Sequence, residues 1–414
     1  MKILLVQHLN FINGSGGTEK VCSFLANDFV QQGHDVEIAT NQDIMGEPVF
    51  FLHKNINVIN IFNPQIPQKQ ILPIHNYHKK NPFLWLKFKY KKKKAKYLNR
   101  KTYAEAGGED ELFKFNLSQR AKSWKNYIDK VRPDIVITMS IGSLLEITYN
   151  NNYDFPIVNS TNGRPDYDFT DDLWYRSPIE MRLLKESYQK LTAIQVLFDS
   201  YKDFLPETFH GKSFVIPNAV PQFNERQIVE HTNNKERFAI VNIASLVTSC
   251  KQQHIAIDIF AHLSRKFPKW DLYFWGVGND EEYLREKIKN YSLENRIFLM
   301  GFTDNPLEKL KNADIFIFPS KYEGFPLALT EAMSLGLPCL GFDTCSGVNQ
   351  LITHKKNGLL SKDESEMEKH LEILMNDSVL RSELGEKAHF EMKKFSPEFV
   401  LEQWQKLLKS IQSQ

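Results

Sequence analysis

Residues 314–342 read DIFIFPSKYEGFPLALTEAMSLGLPCLGF. Ile315 to Phe318 are four consecutive apolar residues, β-branched and aromatic, the pattern of a strand buried on both faces of a parallel sheet. Pro319 and Ser320 end it. Glu323 then opens the turn Gly324-Phe325-Pro326, and a helix is predicted over about 327–335. The turn lies at the carboxyl end of the strand, where open α/β sheets bind ligands. The first N–H groups of the helix have no intrahelical acceptor and sit at its positive dipole end, so they suit phosphate or sugar hydroxyl oxygens. Gly324 lets the backbone approach a ligand closely. Glu331, on the helix, can accept two hydrogen bonds from a vicinal diol such as a ribose. The plain alternative is that Glu323 and Glu331 are exposed acids; the strand–turn–helix setting favours the ligand reading.

The same rhythm recurs in two series. Lys2 to Val6 are a short apolar run before the glycine-rich loop NFINGSGG, residues 10–17. Val21, Phe24, Leu25 and Phe29 come next at helical spacing, Gly33 is placed to stop the helix, and VEIAT is a second strand. Such a βαβ order implies a parallel sheet. RPDIVITMS, FPIVNST, LTAIQVLF and SFVIPNAV continue the first series. FAIVNIASL, WDLYFWGVG, RIFLMGF and DIFIFPS form the second. The chain therefore divides into an N-terminal domain, 1–220, and a C-terminal domain, 221–396. The polar stretch 217–235 reads as the linker, and 397–414 as a last helix, able to cross back to the N-terminal domain, with Phe399, Trp404, Leu407 and Leu408 available for packing. Residues 64–117 lack the rhythm and read as an irregular insertion.

The bulk numbers set limits. The chain has 414 residues, a formal net charge of +2, 42% hydrophobic and 25% charged residues, ordinary for a globular enzyme of two to three domains. That balance does not mark a nucleic-acid binder. Cys22, Cys250, Cys339 and Cys345 form no CxxC pair and no Cys/His ligand spacing, so no metal site is expected from them. Few cysteines fit a reducing compartment, MKILLVQH is too short for a secretory signal, and no stretch of about 18 apolar residues occurs. These features point to a cytoplasmic protein.

PSKYEGFPLALTEAMSLGLP resembles the donor-site signature of glycosyltransferase family 4, the retaining enzymes of the GT-B fold. Their pattern has two glutamates separated by seven residues, as Glu323 and Glu331 are. The resemblance is specific over 14–40 and 238–396 and weak from 41 to 130. It implies two doubly wound Rossmann-like α/β domains facing a deep cleft. It also implies a nucleoside-diphosphate sugar, by default a UDP-sugar, as co-substrate rather than any resident cofactor. The acceptor would be a glycan or lipid-linked molecule of surface polysaccharide, lipopolysaccharide or glycolipid synthesis. Glu331 would bind the nucleotide ribose and Glu323 the donor sugar. The amides of Gly324, Phe325, Pro326 and Leu327 would serve sugar and diphosphate, although proline itself has no N–H.

In ASLVTSCKQQ, residues 244–253, relatives commonly carry an arginine and a lysine against the diphosphate. Lys251 stands at the lysine position and Ser245 where the arginine usually is. Gly16 and Gly17 come after the first strand in the geometry that cradles a pyrophosphate; a plain flexible turn is the alternative. Gly276 and Gly278 in WGVGND are weaker candidates of the same kind, and Gly347 another. Many relatives have a histidine after the strand matching DIVITMS; here Met139 and Ser140 stand there, so Ser140, Asn162 and Arg164 are the candidates for the acceptor side or cleft. Asp166-Tyr167-Asp168 spells DxD, but it does not follow the donor-binding strand. It reads as exposed loop acids, and no metal requirement is expected.

Finally, Phe83 to Lys101, FLWLKFKYKKKKAKYLNRK, join aromatics to a lysine run. Basic and aromatic residues together suit an anionic membrane surface; a solvated charge run is the alternative. Two rival functions fit the fold as well: a sugar-nucleotide epimerase, or a non-catalytic sugar-nucleotide-binding scaffold.

Overall fold

The computed structural model describes residues 1–74, 81–171 and 176–412, and these form two compact units. The first comprises 1–161, 165–195 and 204–213; the second comprises 162–164, 196–203 and 214–414.

In the first unit, strands β1 (Lys2–Val6), β2 (Asp35–Thr40), β3 (Asn57–Asn60), β4 (Ile135–Thr138), β5 (Ile157–Ser160), β6 (Ala193–Val196) and β7 (Lys212–Val215) lie in the order β3-β2-β1-β4-β5-β6-β7. The pairings from β3 across to β6 are all parallel. The helices are α1 (Gly17–Gln31), α2 (Pro82–Ala106), α3 (Glu109–Val131), α4 (Ile141–Thr148) and α5 (Pro178–Ser187). Of the residues expected on the inner face of α1, Val21, Leu25 and Phe29 are buried and Phe24 is half-buried. Gly33 takes φ +84° and stops the helix, its N–H donating to Val30 O.

In the second unit, β8 (Phe238–Ile243), β9 (Trp270–Trp275), β10 (Ile297–Leu299), β11 (Ile315–Phe318), β12 (Cys339–Phe342) and β13 (Leu359–Ser361) form an all-parallel sheet ordered β10-β9-β8-β11-β12-β13. Its helices are α6 (Thr248–Lys251), α7 (Gln253–Leu263), α8 (Glu281–Asn290), α9 (Pro306–Lys311), α10 (Leu327–Ser334), α11 (Val348–Leu351), α12 (Glu364–Asn376), α13 (Ser378–Met392) and α14 (Pro397–Gln412). Both sheets reverse direction of growth at one place, β1/β4 in the first and β8/β11 in the second. Loops leaving the carboxyl ends there splay apart and open a crevice for ligands.

The described part of 64–117 corrects the expectation of irregular structure, because 82–106 and 109–131 are long helices. Asn81 caps the first through its side-chain oxygen, which accepts from the amides of Phe83 and Leu84. Among its described side chains only Ala95 and Asn99 are buried, so no buried apolar stripe announces the helix. The stretch 217–235 is docked rather than loose: Val220 N–H donates to Phe395 O, Val229 N–H to Leu335 O, and His231 Nε2 lies 2.9 Å from Gly336 O. α14 groups with the second unit. It buries Trp404, Leu407 and Leu408 as expected, with Val400 and Ile411, but leaves Phe399 exposed.

Candidate functional site

In the second unit the loops leaving β8 and β11 meet at the switch point. The Glu323 turn is pinned by backbone bonds. Lys321 N–H donates to Cys250 O at 2.9 Å and Glu323 N–H to Ser346 O at 3.2 Å. The Ser346 hydroxyl returns a bond to Glu323 O at 2.9 Å, and the Tyr201 hydroxyl donates to Gly324 O at 3.1 Å. Phe325 is buried, stacked on Phe198 with centroids 5.6 Å apart and edge-on to Phe395. Its ring therefore braces the turn, and only its backbone is left for ligand chemistry.

Gly324 has no room for a side chain. A Cβ there would lie 1.9 Å from Asn162 O and 2.8 Å from Gly163 Cα. This contact explains why Asn162 and Arg164 group with the second unit, both half-buried. Gly347 takes φ +78° and would carry its Cβ to within 2.5 Å of Gly324 O. It packs directly against the turn's backbone.

Two charged side chains converge on this scaffold. Lys251 Nζ donates to Glu323 Oε1 at 2.6 Å, with the lysine side chain 21% and the glutamate 10% exposed. Burial disfavours the ammonium, but the adjacent Glu323 carboxylate outweighs it and holds the Lys251 pKa above the usual lysine range. Lys251 is thus a permanent cation one hydrogen bond from the turn. Glu331 is 4% exposed on α10, which removes the reading of a solvent-facing helix acid. The first intrahelical bond of α10 runs from Thr330 N–H to Pro326 O, and no side chain caps the helix. The amides of Leu327 and Ala328 thus precede the helical ladder at its positive end.

The other glycines pack loops. Gly276, at φ +145°, would drive a Cβ to 2.0 Å from Ala244 O, and Gly278 to 2.3 Å from Leu246 O. The two backbones run side by side, with Ala244 N–H donating to Trp275 O and Leu246 N–H to Val277 O. Ser245 sits between them and its carbonyl accepts from Gln253 Nε2.

In the first unit Gly16 is the N-cap of α1 and Gly17 its first residue. Glu19 folds back on this turn: a Cβ on Gly16 would lie 2.5 Å from Glu19 Oε2. Glu19 is buried and bonded by Gln7 Nε2, and burial raises its pKa. A phosphate at this loop would have to share the amides with that carboxyl. Ser140 caps α4, accepting from Ser143 N–H at 3.1 Å.

The loop after β4 lacks a histidine, but one reaches it from the neighbouring strand. His8, two residues beyond β1, places Nδ1 2.9 Å from Ser143 Oγ, and Ser143 Oγ lies 3.0 Å from Ser140 Oγ. Burial first, then Arg120 and Arg176, lowers the His8 pKa to about 3, so the imidazole is neutral. His8 is absent from the candidates drawn from sequence. The signal that could have found it is topological, since β1 and β4 are neighbours and their loops must meet. The DxD reading also needs correction. Asp168 is not an exposed acid: Arg176 Nη2 bonds it at 2.9 Å, and burial raises its pKa to about 6. Among the described residues no group of three or more His, Cys, Asp or Glu side chains is arranged to hold a metal ion.

Residues 223–389 match the family model described as glycosyl transferases group 1. The fold is of the GT-B class. An S. aureus TarM variant solved with fondaparinux, alpha-GlcNAc-glycerol and UDP superposes with a TM-score of 0.72, covering 98% of this chain and 99% of that one at 18% identity. An uncharacterized glycosyltransferase of Haemophilus influenzae is 31% identical over 154 residues, 37% of this chain and 44% of that protein. The poly(ribitol-phosphate) alpha-N-acetylglucosaminyltransferase of Staphylococcus aureus is 28% identical over 229 residues, 54% of this chain and 45% of that protein. The chain thus spans under half the length of each of these two relatives. The matched stretch contains Lys251, Ser245, Gly276, Glu323, Glu331 and the turn between the glutamates.

Proposed function

We propose that the chain is a glycosyltransferase moving a sugar, with retention at the anomeric carbon, from a UDP-sugar to a glycan or lipid-linked acceptor of cell-surface polymer synthesis on the cytoplasmic side. The observation that carries this is the Lys251–Glu323 pair at the carboxyl ends of β8 and β11, beside the uncapped start of α10. In this reading the Lys251 ammonium and the amides of Leu327 and Ala328 take the diphosphate and offset the charge that develops as it leaves. Glu323 receives a hydroxyl of the donor sugar and Glu331 the ribose diol. No side chain here is set as a covalent nucleophile, so the leaving diphosphate itself accepts the acceptor proton on the face it vacates. Lysine and helix amides supply the positive charge that a divalent cation supplies elsewhere, and we propose that no metal is needed.

Thermal shift with a panel of nucleoside diphosphates and their sugars tests this, because a bound ligand stabilises the folded state. UDP and at least one UDP-sugar should raise the melting temperature, and transfer should follow with a suitable acceptor. No response to any nucleotide sugar would overturn the proposal. Ser245 in place of an arginine favours a second reading, a protein that binds the donor without transfer; tight donor binding with no transfer to any acceptor would support it. A same-fold epimerase would convert the donor with no acceptor present.

A further inference from the structure

The 25-residue helix α2 is about 37 Å long at 1.5 Å per residue. It carries nine of the chain's basic residues and one acid, Glu105, although the whole chain is only +2. At 100° per residue Phe83, Leu86, Tyr90 and Tyr97 fall within about 60° of one another. All four are exposed, at 82%, 58%, 70% and 70%. Lys87, Lys93, Lys94 and Lys101 lie along or beside this stripe and are exposed too. The opposite face carries the buried Ala95 and Asn99 and the half-buried Phe88, so it is the side turned to the unit. Asn99 ties the segment at Leu72 to the helix with two hydrogen bonds. That segment leaves Ile71, Leu72 and Ile74 exposed beside Lys96 and Arg100, over a cavity of about 540 Å³.

We infer that this face of α2 lies on an anionic phospholipid surface. Four large apolar side chains held in water are costly unless something covers them, and the lysines among them select a negative partner. A rigid acidic protein would need a separate apolar cup for each ring of a stripe one residue wide. A bilayer meets both needs with no shape complementarity: phosphates pair with the ammonium groups while rings enter the headgroup–acyl boundary. Tyrosine favours that depth, and Tyr90 and Tyr97 are two of the four side chains on the stripe. Among the described residues no helix is long and apolar enough to cross a membrane, so α2 rests on the surface.

Co-sedimentation of the full chain with vesicles tests this. Binding to phosphatidylcholine–phosphatidylglycerol vesicles should exceed binding to phosphatidylcholine alone and weaken as salt rises. Each basic residue near an anionic surface is worth roughly fivefold in partitioning, so the combined Lys87→Glu, Lys93→Glu and Lys94→Glu change should weaken it at least on the order of a hundredfold. Phe83→Ser with Tyr90→Ser should weaken it while leaving the salt dependence in place. All five positions are exposed, so melting temperature and the response to UDP should match the parent, which separates this result from failure of the donor reading. Equal binding to both vesicles, undiminished binding by the aromatic variant, or binding to soluble polyphosphate without vesicle binding would each overturn it.

Discussion

Lys251→Met is the sharpest perturbation, because in the proposed function one atom serves two partners, Glu323 in the free protein and the diphosphate in the complex. Breaking a fully buried ion pair by removing one member costs about 3–5 kcal/mol. The lysine here is 21% exposed, so solvent reaches the stranded carboxylate, and the loss should be about 2 kcal/mol. At roughly 2–4 °C per kcal/mol for a unit of about 200 residues, the melting temperature should fall by roughly 4–8 °C. The same substitution takes a charge-assisted bond from the diphosphate. That removes about 1.5–3 kcal/mol and weakens UDP binding roughly 10- to 100-fold.

Glu323→Gln separates the two effects. It frees the Lys251 ammonium from its competing carboxylate, so UDP should bind as well as to the parent or better, while sugar transfer is lost. Calorimetry with UDP, melting curves and a transfer assay on both single variants and the double variant form the test. The stability losses should be non-additive, since the two side chains touch. If Glu323→Gln lost UDP affinity as heavily as Lys251→Met, the division of labour between the two groups would be wrong.

Other outcomes rest on the same geometry. Gly324→Ala forces a Cβ against the backbone at Asn162; donor response should vanish and the melting temperature should fall, and a normal donor response would contradict the close approach. Glu331→Gln should reduce the preference for UDP over 2′-deoxy-UDP, measured by competition, by about tenfold, the value of one charge-assisted bond. His8 has a folded pKa of about 3, below its unfolded value. The unfolded chain therefore binds more protons between those values, and stability falls as pH drops from about 6.5 toward 3. Asp168, raised to about 6, works in the opposite sense, so the clean measurement is the parent against His8→Asn: the variant should lose less stability on acidification. Transfer should survive exhaustive chelation; a rate restored only by added divalent cations would refute metal independence.

Much of the fold is legible because buried parallel strands are unbroken apolar runs. Lys2–Val6 and Ile315–Phe318 are such runs and appear where expected. Asn57–Asn60 is illegible for the opposite reason: as an edge strand it is largely exposed and carries two asparagines. The helix of 82–106 is hidden because it packs by Ala95 and Asn99 rather than by an apolar stripe. The acidic pair, Lys251 and the Gly324 turn are legible because they are close in sequence to their strands. Phe198, Tyr201 and the contact made by Asn162 are not, because they reach that turn from 123 residues away or more. Nothing local in their sequence marks such a partnership.

The brace formed by Phe198 and Tyr201 also limits how the chain can be divided. A fragment starting at 214 would hold every strand of the second sheet and all of the group 1 match, yet leave Phe325 without its stacking ring and Gly324 O without its hydroxyl donor. Swapping this half between related proteins, or expressing it alone, would therefore keep the scaffold while loosening the one bend whose shape matters. Recombination would have to carry 196–203 along with it.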